Sequence, residues 1–311
     1  MKIDPRHLVN LLAVATHGSF NRAAEACGLS QPALSNSIAQ LERRLGMSVL
    51  ERGRTGSQVN EYGRILLQGA RTLDALLAQI AEQVRLKRMG VQGPLRIAAT
   101  PSMNLKFMPD LIGGLLKDSG AVQMALEERL DDELIPALQS GALDLVLSPA
   151  LGDALPYDIA EEMLFEDSFS IGVGPKHPLA KRRSVTLSEL REHPWVLPGP
   201  GSAYRRHVEA LFLTAGIPWP NDCIVSSSLQ LVESIVTRSN RVTIVTRLQA
   251  ATHNFWRLHC IALRNGGRRT MSIKWRRASQ LSPLATRTVQ LAHELALVFQ
   301  QTERGGARTK G

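Results

Sequence analysis

The sequence predicts an α/β protein with a separate N-terminal domain that is helical and carries a small wing. Three observations predict it. Residues 19–45 read as two short helices around a tight turn, and residues 61–88 as one long helix with a narrow apolar seam. Beyond residue 90, short apolar strands alternate with helical stretches. The 311 residues suffice for two or three domains with ample core.

Leu8, Leu11, Leu12 and Ala15 fall on one face of a first helix. A second carries Phe20, Ala23, Ala24 and Cys27, and a third carries Leu34, Ile38, Leu41 and Leu45, each again on one face. Gly28-Leu29 makes the turn between them. Ser19 and Ser30 stand where hydroxyls cap helices, and Pro32 falls in a first turn, where its missing N–H costs little. The other face of the third helix holds Gln31, Ser35, Asn36, Ser37 and Gln40. Short hydrogen-bonding side chains on such a helix suit base edges in a DNA major groove. A helical hairpin inside an unrelated core is the bland alternative. Residues 47–60 then read as a β-hairpin wing with Arg52 and Arg54 placed to meet phosphates, or as an ordinary solvated loop.

The long helix starts at Glu61, capped by Asn60, and spans about 28 residues or roughly 42 Å. Leu66, Leu73 and Ile80 recur every seven residues, as do Ala70, Leu77 and Val84 in the complementary register. That alternation is a coiled-coil seam. It favours self-association over packing on its own domain, and a dimer covers two half-sites of DNA.

Residues 90–94 read as a linker. Strands are expected at 95–99, 122–126, 143–147, 195–197, 223–225 and 242–245, with helices near 104–118, 131–140, 203–215, 229–238 and 247–252. The alternation implies parallel sheets in two lobes. Three strand ends carry hydroxyls beside a helix start: Thr100 to Ser102, Gly199 to Ser202, and Ser226 to Ser228. Each is ordinarily a structural cap; together they point to a small anionic ligand.

The net charge is +9, with 12 basic against 7 acidic residues in 1–90 and six basic residues without an acid in 264–277. This balance is compatible with nucleic acid. No segment reads as a signal peptide or a membrane span. Cys27, Cys223 and Cys260 lie far apart without metal-ligand spacing, which predicts reduced thiols in the cytoplasm and no metal. An enzyme is the second class. Against it, the sequence shows no nucleophile–base–acid set and no glycine-rich phosphate loop, and His177 and His207 stand alone. No cofactor is expected. A chromosomal architectural protein, the third class, would not need two α/β lobes.

The order of parts resembles the LysR-type transcriptional regulators over essentially the whole chain. The match is carried by Ser19-Phe20, Ala23-Ala24, Leu29 to Ser35, Ile38, Leu41-Glu42, Leu45-Gly46, Leu50 to Arg52 and Gly63. Leu143-Asp144, His177 to Leu179 and Trp275 to Arg277 extend it. The resemblance implies a winged helix–turn–helix, a dimerising linker helix and a two-lobed effector domain like a periplasmic binding protein. It implies domains at 1–60, 61–89 and 90–300, with a first lobe about 94–165 and 270–300, a second about 166–268, and a flexible tail at 301–311. Chain crossings between lobes are expected near Glu166–Ser168 and Asn265–Arg269.

Carried over residue by residue, the DNA-facing set is Ser30, Gln31, Pro32, Ser35 and Asn36, with Arg52 and Arg54 in the wing. The cleft set is Thr100, Ser102, Arg129, Ser148, Pro149, Gly201, Ser202, Ser226, Ser227 and Ser228. The implied partners are promoter DNA, further copies in a dimer or tetramer, a small-molecule co-inducer and RNA polymerase. Activation and repression both stay open. The polar caps with Arg129 or Arg205 point to an organic acid as co-inducer. The chain departs from the family at Ser239-Asn240-Arg241, where glycines are usual, and at Val245-Thr246-Arg247, where the strand ordinarily ends in Leu-Pro.

Overall fold

The computed structural model describes residues 3–53, 56–200, 202–250 and 257–308. The chain divides into two compact units, Met1–Gly90 with Gln139–Ala142 and Val91–Leu138 with Leu143–Gly311. In the first, α1 (Pro5–His17), α2 (Phe20–Ala26) and α3 (Gln31–Leu45) pool their apolar faces. Leu11, Val14, Ala23, Ala24, Leu34, Ile38 and Leu41 are buried in one core. Asp4 caps α1 by accepting from the Arg6 N–H at 3.0 Å, and Ser30 caps α3 through the Ala33 N–H at 3.3 Å. Ser19 holds the N-cap position of α2, but its hydroxyl makes no cap bond. Gly28 turns the chain with φ +65°, a conformation side chains rarely adopt. The wing is β1 (Leu50–Gly53) paired antiparallel with β2 (Gly56–Val59), Leu50 opposite Val59. Helix α4 (Glu61–Arg88) follows, capped by Asn60, whose side chain accepts from the Gly63 N–H at 2.9 Å. A Cβ on Gly63 would collide with the Val49 carbonyl and the Val59 side chain, so only glycine lets α4 start this close to the wing.

The seam expected on α4 is divided. Leu66 packs against the N-terminal core beside the buried Leu67, Ala70 is fully buried within the chain, and Leu73 is half-buried. From there the apolar face is open: Leu77, Ile80 and Val84 are 52%, 48% and 58% exposed, with Leu76 beside them and Tyr62 and Ile65 exposed nearer the start. Leu66 thus faces the N-terminal core and Ala70 is enclosed within its own chain, so neither offers the open apolar surface of Leu77, Ile80 and Val84.

In the second unit, β3 (Gln92–Ala99) starts inside the expected linker, with Gln92 opposite Val122. It lies between β4 (Val122–Glu128) and β5 (Leu145–Pro149), parallel to both. Helices α5 (Pro101–Leu105), α6 (Phe107–Asp118) and α7 (Asp131–Ser140) connect them. The long strand β6 (Ile159–Val173) crosses from one lobe to the other. Up to Ser168 it pairs with β12 (Arg268–Arg276); from Phe169 it pairs with β10 (Val242–Thr246), and from Ser170 also with β11 (His259–Leu263). The second lobe adds β7 (Ser184–Val185), β8 (Trp195–Leu197), α8 (Ala203–Thr214), β9 (Cys223–Val225), α9 (Leu229–Thr237) and α10 (Arg247–Ala250). Strands β9, β8 and β10 run parallel in that order. Along β6 the change of partner falls between Ser168 and Phe169, and the returning strand β12 starts at Arg268.

The sequence reading misses β6, β7, β11 and β12, and with them the antiparallel half of each lobe. Helix α11 (Pro283–Arg308) packs Leu284, Ala285, Val289, Ala292 and Ala296 into the first lobe's core and continues through Arg308, so the expected tail is helical that far. Where the family's glycines are replaced, no residue from 238 to 241 has a positive φ. Instead the Arg241 guanidinium donates to the Trp195 carbonyl at 3.1 Å and to Asp222 at 2.7 Å, holding the start of β10 against its neighbour.

Candidate functional site

On α3, Ser30, Gln31, Pro32 and Asn36 are exposed and Ser35 is half-buried. Ser30 accepts the cap bond on its exposed hydroxyl, which keeps its own O–H to donate. Ser37 belongs to the fold: its Oγ lies 2.7 Å from His7 Nδ1 and accepts from the Asn10 side-chain amide at 2.7 Å. Arg52 lies on wing strand β1; its side chain, and Arg54 altogether, lie outside the described residues.

The second unit holds a cleft of about 200 Å³ between its lobes. Thr100 and Ser102 line it from the first lobe, and Ser202, Ser226 and Ser227 from the second. Thr100 is 4% exposed and its Oγ1 finds no partner among the described residues. Ser102 Oγ accepts from Arg269 at 2.8 Å. Ser202 caps α8 through the Arg205 N–H at 3.0 Å. Ser226 Oγ accepts from the Ser228 N–H at 3.2 Å.

Of the remaining members of the expected set, Arg129, Ser148, Pro149 and Ser228 do not line the cleft. Arg129 pairs with Glu127 at 2.6 Å. Arg205 pairs with Glu209 at 2.6 Å and covers the Trp219 ring at 3.8 Å. Ser148 and Pro149 face a buried lysine instead: Lys274 Nζ donates to Ser148 Oγ at 2.7 Å and to the Pro149 carbonyl at 2.9 Å. Ser228 caps α9 through the Leu231 N–H at 3.3 Å. Gly201 lies outside the described residues.

Four groups that the sequence reading misses complete the lining. Arg269 is buried and pairs with the buried Asp167 at 2.9 Å. Asp131, at the start of α7, accepts from the Ala203 N–H of α8 at 2.9 Å, across the cleft. Tyr204 donates to the Ile244 carbonyl at 2.6 Å, and burial pushes its phenol well above the usual range, so it stays a donor. Gln249 accepts from the Thr246 N–H at 2.7 Å, which shapes the turn where Leu-Pro is usual. The one available signal was the basic cluster at 264–277, which contains Arg269. Of the single histidines, buried His177 uses both ring nitrogens, accepting from Leu179 at 3.1 Å and meeting the Asn240 carbonyl at 3.2 Å. Among the described residues no cluster of ligating side chains could hold a metal, and no helix is long and apolar enough to cross a membrane.

Residues 5–64 match the family described as "Bacterial regulatory helix-turn-helix protein, lysR family", and residues 88–296 match "LysR substrate binding domain". The chain belongs to the LysR family. It is 31% identical over 246 residues to the HTH-type transcriptional regulator YdcI of Escherichia coli K12, covering 78% of this chain and 79% of that one. It is 30% identical over 252 residues to the HTH-type transcriptional regulator GbpR of Azospirillum brasilense, covering 80% and 73%. A full-length OxyR variant from Pseudomonas aeruginosa shares the fold with a TM-score of 0.66 at 21% identity, covering 95% of both chains. Full-length CbnR complexed with its target DNA gives 0.64 at 21%, covering 94% of this chain and 99% of that one. This LysR-family chain is a DNA-binding transcriptional regulator with an effector-binding domain, not an enzyme.

Proposed function

We propose that this LysR-family protein acts in the cytoplasm, reading a two-half-site promoter with α3 and its wing as a dimer or a dimer of dimers. A small-molecule co-inducer held in the cleft changes how that assembly holds and bends the DNA. The observation that carries this reading is the combination, on one chain, of an exposed polar recognition face with a cleft whose two walls are joined by crossing strands. Lobes connected this way pivot about the strands, and a ligand that touches both walls favours one arrangement over the other. Gln31, Ser35 and Asn36 supply the base-reading groups, with Arg52 and Arg54 as phosphate contacts. Tyr62, Ile65, Leu76, Leu77, Ile80 and Val84 offer an exposed apolar stripe along α4 for a second copy. The structure of CbnR on its target DNA supports the same use of the N-terminal domain here. Where binding activates a promoter, RNA polymerase is the further partner; where it blocks one, the same contacts repress.

Footprinting and circular-permutation bending on the promoter next to the protein's own gene test this reading, with and without a small-molecule extract of the host cell. Protection of two half-sites, with a bend that changes on adding the extract, is the expected result. A footprint without half-sites, or a bend indifferent to the extract, overturns it.

A further inference from the structure

The walls of the cleft show what chemistry it accepts. Most of the surface is apolar, from Pro101, Leu130, Leu197, Leu229, Val232 and Ile244. Its one cation among the described residues, Arg269, is already paired: Nε and one terminal nitrogen donate to Asp167 at 3.2 and 2.9 Å, and the same terminal nitrogen donates to Ser102. The other arginines that an acid would use are turned away onto Glu127 and Glu209. The start of α8, where partial positive charge favours an anion, already holds the Asp131 carboxylate on the Ala203 N–H. An incoming carboxylate would therefore find a paired arginine, an occupied helix start and a like charge, in surroundings that solvate an ion poorly. Among the described lining residues, one fully buried side-chain atom, Thr100 Oγ1, has no partner. Buried hydroxyls in native proteins almost always have one.

We propose that the effector is a compact, uncharged and largely apolar molecule that uses one hydroxyl, carbonyl or amide group to satisfy Thr100. This rests on the reading of the cleft as the effector site. The volume of about 200 Å³ sets the scale: a cavity of about 150 Å³ holds benzene, so the fit is to a small ring or branched chain with one polar substituent. Asp131 then selects against an anion, since its carboxylate holds the place an acid would take.

The test uses the full-length protein and isosteric pairs that differ only in charge: benzamide and benzoate, cyclohexanecarboxamide and cyclohexanecarboxylate, isobutyramide and isobutyrate. Binding is read by calorimetric titration. The amides are expected to bind at least about tenfold more tightly than the matching acids. Thr100→Val weakens the amides about tenfold, while the unliganded variant unfolds at an unchanged or higher temperature, because the lost hydroxyl had no partner. Asp131→Asn narrows the gap between amide and acid. Ser227→Trp, at an exposed position on the rim, obstructs the cleft and abolishes binding of whichever series binds. Acids binding the wild type as tightly as amides overturn the proposed class and leave the cleft as effector site if Ser227→Trp abolishes them. Binding that survives Ser227→Trp removes the cleft itself. Binding by neither series, or a lower unfolding temperature in Thr100→Val, also overturns the proposal.

Discussion

Arg269 and Asp167 stand directly opposite each other on β12 and β6, at the point where the two strands cross between the lobes, and both are buried. The carboxylate takes two guanidinium bonds and also the Leu248 N–H of α10 at 3.1 Å. The guanidinium reaches Ser102 on α5. Both crossing strands and one helix from each lobe thus meet at one ion pair on the wall of the cleft. Under the proposed reading, a ligand that displaces Arg269 would act directly on the strands that join the lobes.

Asp167→Ala leaves the Arg269 charge buried without its partner. Breaking such a pair costs about 3–5 kcal/mol, whereas replacing both members with apolar groups is often nearly neutral. Urea unfolding followed by near-ultraviolet circular dichroism should show that loss for the single variant and recovery of most of it in Asp167→Ala/Arg269→Met. A single-variant cost below about 1 kcal/mol would show that water reaches the pair.

Neighbouring residues of α3 separate reading from capping. Ser30→Ala removes the bond to the Ala33 N–H and should lower stability by about 1 kcal/mol. Gln31→Ala, at an exposed position, should leave stability within about 0.5 kcal/mol. It should relax base preference at one position per half-site, at a cost of about 1–3 kcal/mol. Thermal unfolding and site selection from randomised DNA measure the two effects; unchanged selection by Gln31→Ala removes it from the reading face.

Much of this was legible in the sequence because the signals are local. The faces of α1 to α3, the Gly28 turn, the Asn60 cap and the buried parallel strands follow from short-range periodicity and capping. The crossing strands were not legible. Strand β6 carries Glu161, Glu162, Glu166 and Asp167, so it has no continuous apolar run. Its charges are compensated only by residues far along the chain: Glu161 by Lys274, Glu166 by Arg268 and Asp167 by Arg269. For the same reason the cleft's hydroxyls could be placed from their strand ends, while Arg269 and Asp131 could not. The role of each is set by a partner that only the tertiary fold supplies.

The divided stripe on α4 predicts different failures at its two ends. Ile80 is exposed, so Ile80→Glu should leave the chain folded and shift sedimentation from dimer or tetramer to monomer, with operator affinity falling in parallel. Ala70 is fully buried within its own chain, and Ala70→Glu places an unpaired charge there. It should lower the unfolding temperature at every protein concentration. An Ile80→Glu protein that still sediments as the wild type assigns the exposed stripe to something other than self-association.

Lys274 and Glu161 form a second buried pair, 3.1 Å apart, fully enclosed with Ser148 and Ser272. Burial pulls the Lys274 ammonium below its ordinary 10.5, against the opposing pull of Glu161. Between that lowered value and 10.5 the unfolded chain binds more protons than the native one, so this residue's contribution to stability rises with pH across the window. Lys274→Met alone strands Glu161 and should cost about 3–5 kcal/mol at neutral pH. Adding Glu161→Gln keeps an acceptor for the Leu151 N–H, which Glu161 holds at 3.1 Å, and should restore most of that loss. Urea unfolding at a series of alkaline pH values checks the sign: the stability of the wild type relative to the double variant should rise toward pH 10.5. A difference that stays flat or falls shows that Lys274 holds its proton as firmly in the native state as in the unfolded chain.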